Sequence, residues 1–207
     1  MLDAFVTAFI TLFIIVDPVA IAPVFASLTQ DAPKDHQRRM AIKGVVVATG
    51  ILFFFALVGK PFLGAMGISM DGLRVAGGIM LFIIALEMVM EKRFERKEES
   101  AHKMEDYFED ISVFPLGLPL LAGPGSIATV MLLMTNVEGD FPGQIMVYLA
   151  LGLTMLITLG FLFAAGKVMR VLGPSVNGVI TRVLGIILAA MAGQFVLDGL
   201  KNTFFGA

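Results

Sequence analysis

The chain contains no cysteine and only two histidines, and just 15% of its 207 residues are charged. Without cysteine there is no disulfide, thiol redox couple or thiolate metal site. His36 and His102 both fall in charged stretches, which excludes a histidine metal site within an apolar segment. No basic patch with interleaved aromatics occurs, and a net charge of −2 gives no reason to expect a nucleic-acid partner. Met1-Leu2-Asp3 lacks the basic n-region of a secretory signal, and the apolar run after it is too long for an h-region. An uncleaved first helix with no soluble domain before it is therefore expected. Intramembrane chemistry would need paired aspartates, a Ser–His or Ser–Lys pair, or a zinc site at matching depth. None is present, so an enzyme is not expected, and neither a cofactor nor a metal is implied.

Apolar residues are abundant instead: 57% of the chain, with a mean hydropathy of +0.89. A soluble domain of this size could not bury so much apolar surface. Runs long enough to cross a bilayer lie at about 4–29, 41–59, 73–90, 113–135, 144–166 and 180–200. Twelve of the fifteen Lys and Arg residues fall in the first, third and fifth connections, leaving Lys60, Arg74 and Lys201 elsewhere. The positive-inside rule makes the first set cytoplasmic and places both termini on the periplasmic side.

Two stretches 106 residues apart repeat each other: Asp17-Pro18-Val19-Ala20-Ile21-Ala22-Pro23-Val24 and Gly123-Pro124-Gly125-Ser126-Ile127-Ala128-Thr129-Val130. Two further blocks follow in the same order, Phe55 to Lys60 with Phe163 to Lys167, and Arg74 to Ile79 with Arg182 to Ile187. Three spans are duplicated, and three is odd, so the second copy enters the membrane upside down. The expected architecture is an all-α polytopic membrane protein of six transmembrane helices in two inverted repeats, 1–90 and 113–207. A charged cytoplasmic linker at 91–112, with eight acidic and five basic residues, joins them.

Both duplicated stretches interrupt an apolar span near its middle, where transporters of this kind hold substrate and coupling ions. Asp17 is the only ionisable side chain deep in the first span, and a carboxylate there costs at least about 2.5 kcal/mol unless it faces a polar cavity or a partner. Pro18, Pro23 and Pro124 each remove a backbone donor and mark candidate helix breaks. Asp17-Pro18 also reads as an N-cap followed by the first helical residue, with Gly123-Pro124 its counterpart. Each copy would then present a positive helix end at mid-membrane. One end carries Asp17; the other has no anion of its own. A zwitterion suits that asymmetry, its carboxylate on the N–H groups of Gly125 and Ser126 and its ammonium on Asp17, directly or through a bound cation. The alternative is that Asp17 only caps a kinked helix.

Ser126 and Thr129 share a helical face and could bond substrate, or bond back to the carbonyl four residues earlier. Pro115, Pro119, Gly117 and Gly123 make the fourth span poorly helical and suggest a re-entrant segment. Glu87 and Asp198 lie near span ends and read as interfacial. Gln194, deeper in span 6, reads equally as a hydrogen bond between helices or as a substrate contact, while Thr154, Thr158 and the glycines of the spans read as helix packing.

Val16 to Phe25, Pro119 to Val130, Arg182-Val183-Leu184-Gly185 and the Gln194…Asp198-Gly199 ending together resemble the MarC family of bacterial inner-membrane proteins, over essentially the whole chain. That resemblance implies six spans in the cytoplasmic membrane. Some members are classed as ion-coupled transporters of small neutral amino acids such as glycine, alanine or serine, and others have no assigned function. The substrate-binding set expected here is Asp17, Pro18, Gly123, Gly125, Ser126 and Thr129, chosen on physical grounds, with H+ or Na+ as coupling ion. The partners expected are the lipid bilayer and that amino acid, and the sequence leaves the oligomeric state open. The other readings are a structural or regulatory membrane protein whose linker binds a cytoplasmic partner, or an exporter or channel for another small solute.

Overall fold

The structure, a computed structural model, describes residues 2–30, 32–90, 92 and 111–205, without side chains for 169–175 and 177. Most of the charged linker lies outside the described residues. The helices are α1 (Leu2–Val16), α2 (Pro18–Leu28), α3 (Lys34–Ala65), α4 (Met70–Val89), α5 (Pro124–Asn136), α6 (Phe141–Phe163) and α7 (Ala165–Phe205). A proline segment, Ser112–Leu121, precedes α5, and no strand occurs among the described residues.

Among the described residues five helical stretches are long and apolar enough to cross a membrane, and the proline segment with α5, bent by 54°, is a sixth when that pair is counted as one span. Outward-facing Phe54, Leu57, Phe82, Leu149, Leu156, Ile186 and Leu197 give the bundle an apolar exterior, which suits lipid rather than water. α1 and α2 together form the most enclosed span: 61% of its most apolar stretch is buried, against 28% to 39% in the other single spans.

Local sequence sets several helix ends. Ser69 starts α4 by accepting from the N–H of Gly72 at 3.0 Å. Gly67, at φ +72°, ends α3. The Ile68 N–H reaches the Leu63 carbonyl at 2.9 Å and the Gly67 N–H that of Gly64 at 3.0 Å, a Schellman ending that needs the left-handed conformation glycine allows.

Two expectations are corrected. Residues 167–179 read as a connection, with Gly173-Pro174 in it, but they belong to α7, which runs unbroken for 41 residues from Ala165. At 1.5 Å per residue that is about 60 Å, roughly twice a bilayer core, and the stretch suited to crossing is Gly178–Phe205. Pro23 was expected to break the first span a second time, yet α2 continues through it to Leu28. Its ring removes one donor in a helix already held by neighbours on both sides.

Packing runs almost wholly between the two halves of the chain. α1 lies on α6 and the proline segment on α3, while α2 lies on α7 and α5 on α4. α4 and α7 form the most extensive pair. They are antiparallel and meet at glycines: a Cβ on Gly78 would stand 2.9 Å from the Ala192 carbonyl, one on Gly185 3.1 Å from that of Ala85, and one on Gly199 2.9 Å from that of Asp71. Small residues let backbones approach where helices pack in lipid. The halves interlock, so neither is a separate body with a core of its own.

The two ends of the bundle differ. At one, Lys60 pairs with Glu138. There too, Arg74 donates to Asp71 at 2.8 Å and to Asn136 at 3.4 Å, and Asn202 donates to the same Asp71 oxygen at 3.2 Å. At the other, Lys34, Gln37 and Arg38 of α3 face Phe163, Gly166 and Lys167. The residues expected on opposite sides of the membrane are thus separated.

Candidate functional site

The first break is a single residue wide. α1 ends at Val16, α2 begins at Pro18, and Asp17 between them has φ 59° and ψ 65°. Among non-glycine residues, Asp and Asn tolerate this left-handed conformation best, and Asp17 is the one non-glycine residue with positive φ among those described. Its backbone serves both helices: the N–H donates to the Phe13 carbonyl at 3.0 Å, and its own carbonyl accepts from Ile21 at 3.1 Å. Pro18 supplies no donor for continuing α1, which is why the helix restarts here.

The Asp17 side chain is fully buried. Oδ1 accepts from the Ala20 N–H at 3.3 Å, the cap expected from the sequence. Oδ2 is buried and has no hydrogen-bond partner among the described residues. Burying a polar atom unpaired is costly, and more so for a charged group. A cap alone needs one oxygen, so the second asks for a proton, a cation or a ligand donor.

The second break lies at Ala122-Gly123, between Leu121 and Pro124. Before it the chain is not a regular helix: Phe114-Pro115 and Leu118-Pro119 are cis, and Phe114 and Leu118 have extended backbone. Bonds from Leu116 to Ile111 and from Ala122 to Gly117, each 3.0 Å, span five residues instead of four. This is the irregular segment the prolines suggest, buried against α3, where non-helical backbone is tolerated in a membrane. The crossing is close: a Cβ on Gly44 would stand 2.9 Å from the Ser112 carbonyl, and one on Gly117 3.3 Å from that of Gly44. Gly123 is the N-cap of α5, extended and without a side-chain cap bond. A Cβ there would meet the Pro119 carbonyl at 2.7 Å.

α5 therefore starts with Pro124, which has no N–H, followed by Gly125 and Ser126, whose N–H groups precede the first intrahelical donor, Ile127 to Gly123 at 3.0 Å. Gly125 sits against the first break. A Cβ on it would lie 3.3 Å from Ile15 Cδ1 of α1 and 2.5 Å from Ile84 Cδ1 of α4. The helix start of one half thus touches the residue two before Asp17 in the other. Both Gly125 and Ser126 are buried.

Thr129 is fully buried, and its hydroxyl donates to the Gly125 carbonyl at 2.7 Å. Of the two readings open for it, the bond back along the helix is the one formed. Thr154 and Thr158 are likewise buried, bonding to the carbonyls of Ala150 at 2.9 Å and Thr154 at 2.8 Å. Gln194 bonds to Asp198 at 2.7 Å along one exposed face of α7. Thr11, which drew no attention as sequence, is fully buried in α1, with its hydroxyl on the Thr7 carbonyl at 2.6 Å and 3.7 Å from Met191 of α7. Its only signal was a hydroxyl inside an apolar run, six residues before Asp17.

No group of three metal-ligating side chains occurs among the described residues. The site is thus one buried carboxylate oxygen without a partner among the described residues, two residues along the chain from Ile15, whose side chain meets the start of α5 from the other half.

Residues 2–204 match the family described as MarC family integral membrane protein. The chain belongs to the MarC family. It is 38% identical over 205 residues to the UPF0056 membrane protein MJ1677 of Methanocaldococcus jannaschii, covering 97% of this chain and 98% of that one. It is 35% identical over 209 residues to the UPF0056 membrane protein YvbG of Bacillus subtilis, covering 99% and 97%. The UPF0056 membrane protein YhcE of Escherichia coli is 34% identical over 199 residues, covering 96% and 92%. No solved structure matches. A multi-pass integral membrane protein is thus what this MarC chain is by both sequence kinship and fold.

Proposed function

We propose that this MarC protein is a secondary transporter of small neutral amino acids of the glycine, alanine and serine type, driven by a proton or sodium gradient across the cytoplasmic membrane. One observation carries the reading: Asp17, fully buried at the left-handed break of the most enclosed span, leaves Oδ2 unpartnered. In the bound state Oδ2 receives the substrate ammonium, directly or through the coupling cation. The N–H groups of Gly125 and Ser126, at the positive end of α5, receive the carboxylate. A small side chain fits because Ile15 and Ile84 crowd Gly125. No basic side chain is buried among the described residues, and this suits a substrate of zero net charge.

The two breaks correspond as the halves of an inverted repeat would, and the packing of α1 on α6 mirrors that of the proline segment on α3. Because the halves interlock, access alternates by local rearrangement at the breaks rather than by rocking one half as a unit. The termini lie on the periplasmic side in this reading, and the protein catalyses no covalent step. The test is a thermal shift of the purified protein with glycine, alanine and serine. Stabilisation by these amino acids, absent with their decarboxylated or deaminated analogues, supports the reading. Equal response to all of them, or to none, contradicts it.

A further inference from the structure

A cavity of about 340 Å³ opens at the end of the bundle away from the Lys60–Glu138 pair. It is lined by Phe25, Lys34, Gln37, Arg38, Leu162, Phe163, Gly166 and Lys167. Three of these are cations, Lys34 and Arg38 at the start of α3 and Lys167 at the start of α7, and no Asp or Glu lines the cavity. Lys34, Arg38 and Lys167 make no ion pair among the described residues. The first turns of two long helices, α3 and α7, border it as well, adding their positive ends to the same field. Gln37 is held in place, donating to the Thr29 and Ala32 carbonyls at 2.7 and 3.0 Å, so the start of α3 that carries Lys34 and Arg38 is braced against the loop before it.

The apolar part of the lining identifies the source of the anion. Phe163 is the last residue of α6 and is 51% exposed; Leu162 beside it and Phe25 near the end of α2 form the wall. The cavity is therefore level with the ends of two membrane spans, where lipid phosphates lie and acyl chains begin. Basic pockets between spans suit anionic headgroups. We propose that this cavity binds the phosphodiester headgroup of an anionic glycerophospholipid, with Lys34, Arg38 and Lys167 on the phosphate and Phe163 and Leu162 against the acyl chains. This site lies away from Asp17 and does not depend on the transport reading.

The test is native mass spectrometry of the delipidated full chain titrated with phosphatidylglycerol or phosphatidylcholine of identical acyl chains. The first phosphatidylglycerol binds at least about tenfold tighter than phosphatidylcholine, and each of Lys34→Gln, Arg38→Gln and Lys167→Gln weakens it about fivefold. The triple variant no longer distinguishes the two lipids. Lys60→Gln with Lys201→Gln, which removes charge at the opposite end of the bundle, leaves the preference intact, and millimolar inorganic phosphate does not displace the lipid. A thermal melt shows that each variant is folded, and the single variants carry the test if the triple one is not. Equal binding of both lipids by the wild type, an unchanged preference in the triple variant, or displacement by inorganic phosphate overturns the proposal; the last would make it a free-anion site.

Discussion

Ile15 of α1 and Gly125 of α5 are in direct contact, close enough that a Cβ on Gly125 would lie 3.3 Å from the Ile15 Cδ1. They come from opposite halves of the chain, and the contact puts the start of α5 against a side chain of the last turn of α1, two residues before Asp17. The site therefore depends on the halves packing on each other, and its parts can be altered one at a time.

Asp17 combines a backbone role with a charge, and two substitutions separate them. Asn tolerates φ 59° and offers an oxygen to the Ala20 N–H. Asp17→Asn should melt within about 1 kcal/mol of wild type, because the cap is kept. Asp17→Ala loses the cap and strains the left-handed residue, for a combined cost of about 2 kcal/mol. Thermal or denaturant melts in detergent check this; equal stability of the Ala and Asn variants would remove the structural role assigned here.

Gly123 and Gly125 should respond differently to a methyl group. At Gly123 the obstacle is the Pro119 carbonyl, 2.7 Å from the new atom, and backbone cannot swing aside. At Gly125 the nearest atom is the tip of Ile84, which can change rotamer. Gly123→Ala is expected to cost about 2 to 3 kcal/mol and Gly125→Ala about 1. Gly125→Ala should nevertheless weaken amino-acid binding by crowding the N–H groups. A thermal-shift titration of both variants reads stability and binding together.

The α4–α7 seam makes a control possible within one helix. Gly185 faces Met88 and the Ala85 carbonyl, whereas Gly193 has nothing within 4 Å of its would-be Cβ. Gly185→Val should destabilise by at least about 2 kcal/mol, while Gly193→Val stays near wild type. If both were tolerated, the close approach of α4 and α7 would be wrong.

Arg74 ties three helices at the end opposite the cationic cavity, through Asp71 of α4 and Asn136 of α5, with Asn202 of α7 on the same carboxylate. Its side chain is only 16% exposed. Arg74→Ala should cost about 1 to 2 kcal/mol, and Asn136→Ala, which leaves the Asp71 bond intact, clearly less. Urea or thermal unfolding in detergent ranks the two, and an equal loss would place the tie elsewhere.

The single spans were legible because lipid imposes one rule on every residue of a crossing helix: length and hydropathy suffice, and Leu2–Leu28, Lys34–Ala65 and Met70–Val89 follow them. The breaks at Asp17 and Gly123 were legible from proline and its neighbours. What proline does inside a helix was not, since Pro23 lies within α2 and Gly173-Pro174 within α7, where surrounding packing decides. The left-handed Asp17 and the orphaned Oδ2 depend on what surrounds that residue, as does the choice of Thr129 to bond Gly125. Lys34, Arg38 and Lys167 gave only an orientation signal as sequence; that they line one cavity follows from the convergence of two helix starts, of α3 and α7, more than 120 residues apart.

The most direct test of the central claim is uptake of labelled glycine and alanine into liposomes holding the purified protein, under an imposed proton or sodium gradient, with wild type and Asp17→Asn side by side. Gradient-dependent uptake by the wild type, lost in a variant that melts normally, is the expected result. Undiminished uptake by Asp17→Asn would take Asp17 out of the cycle, and no uptake by the wild type with either gradient in either loading direction would contradict amino-acid transport itself.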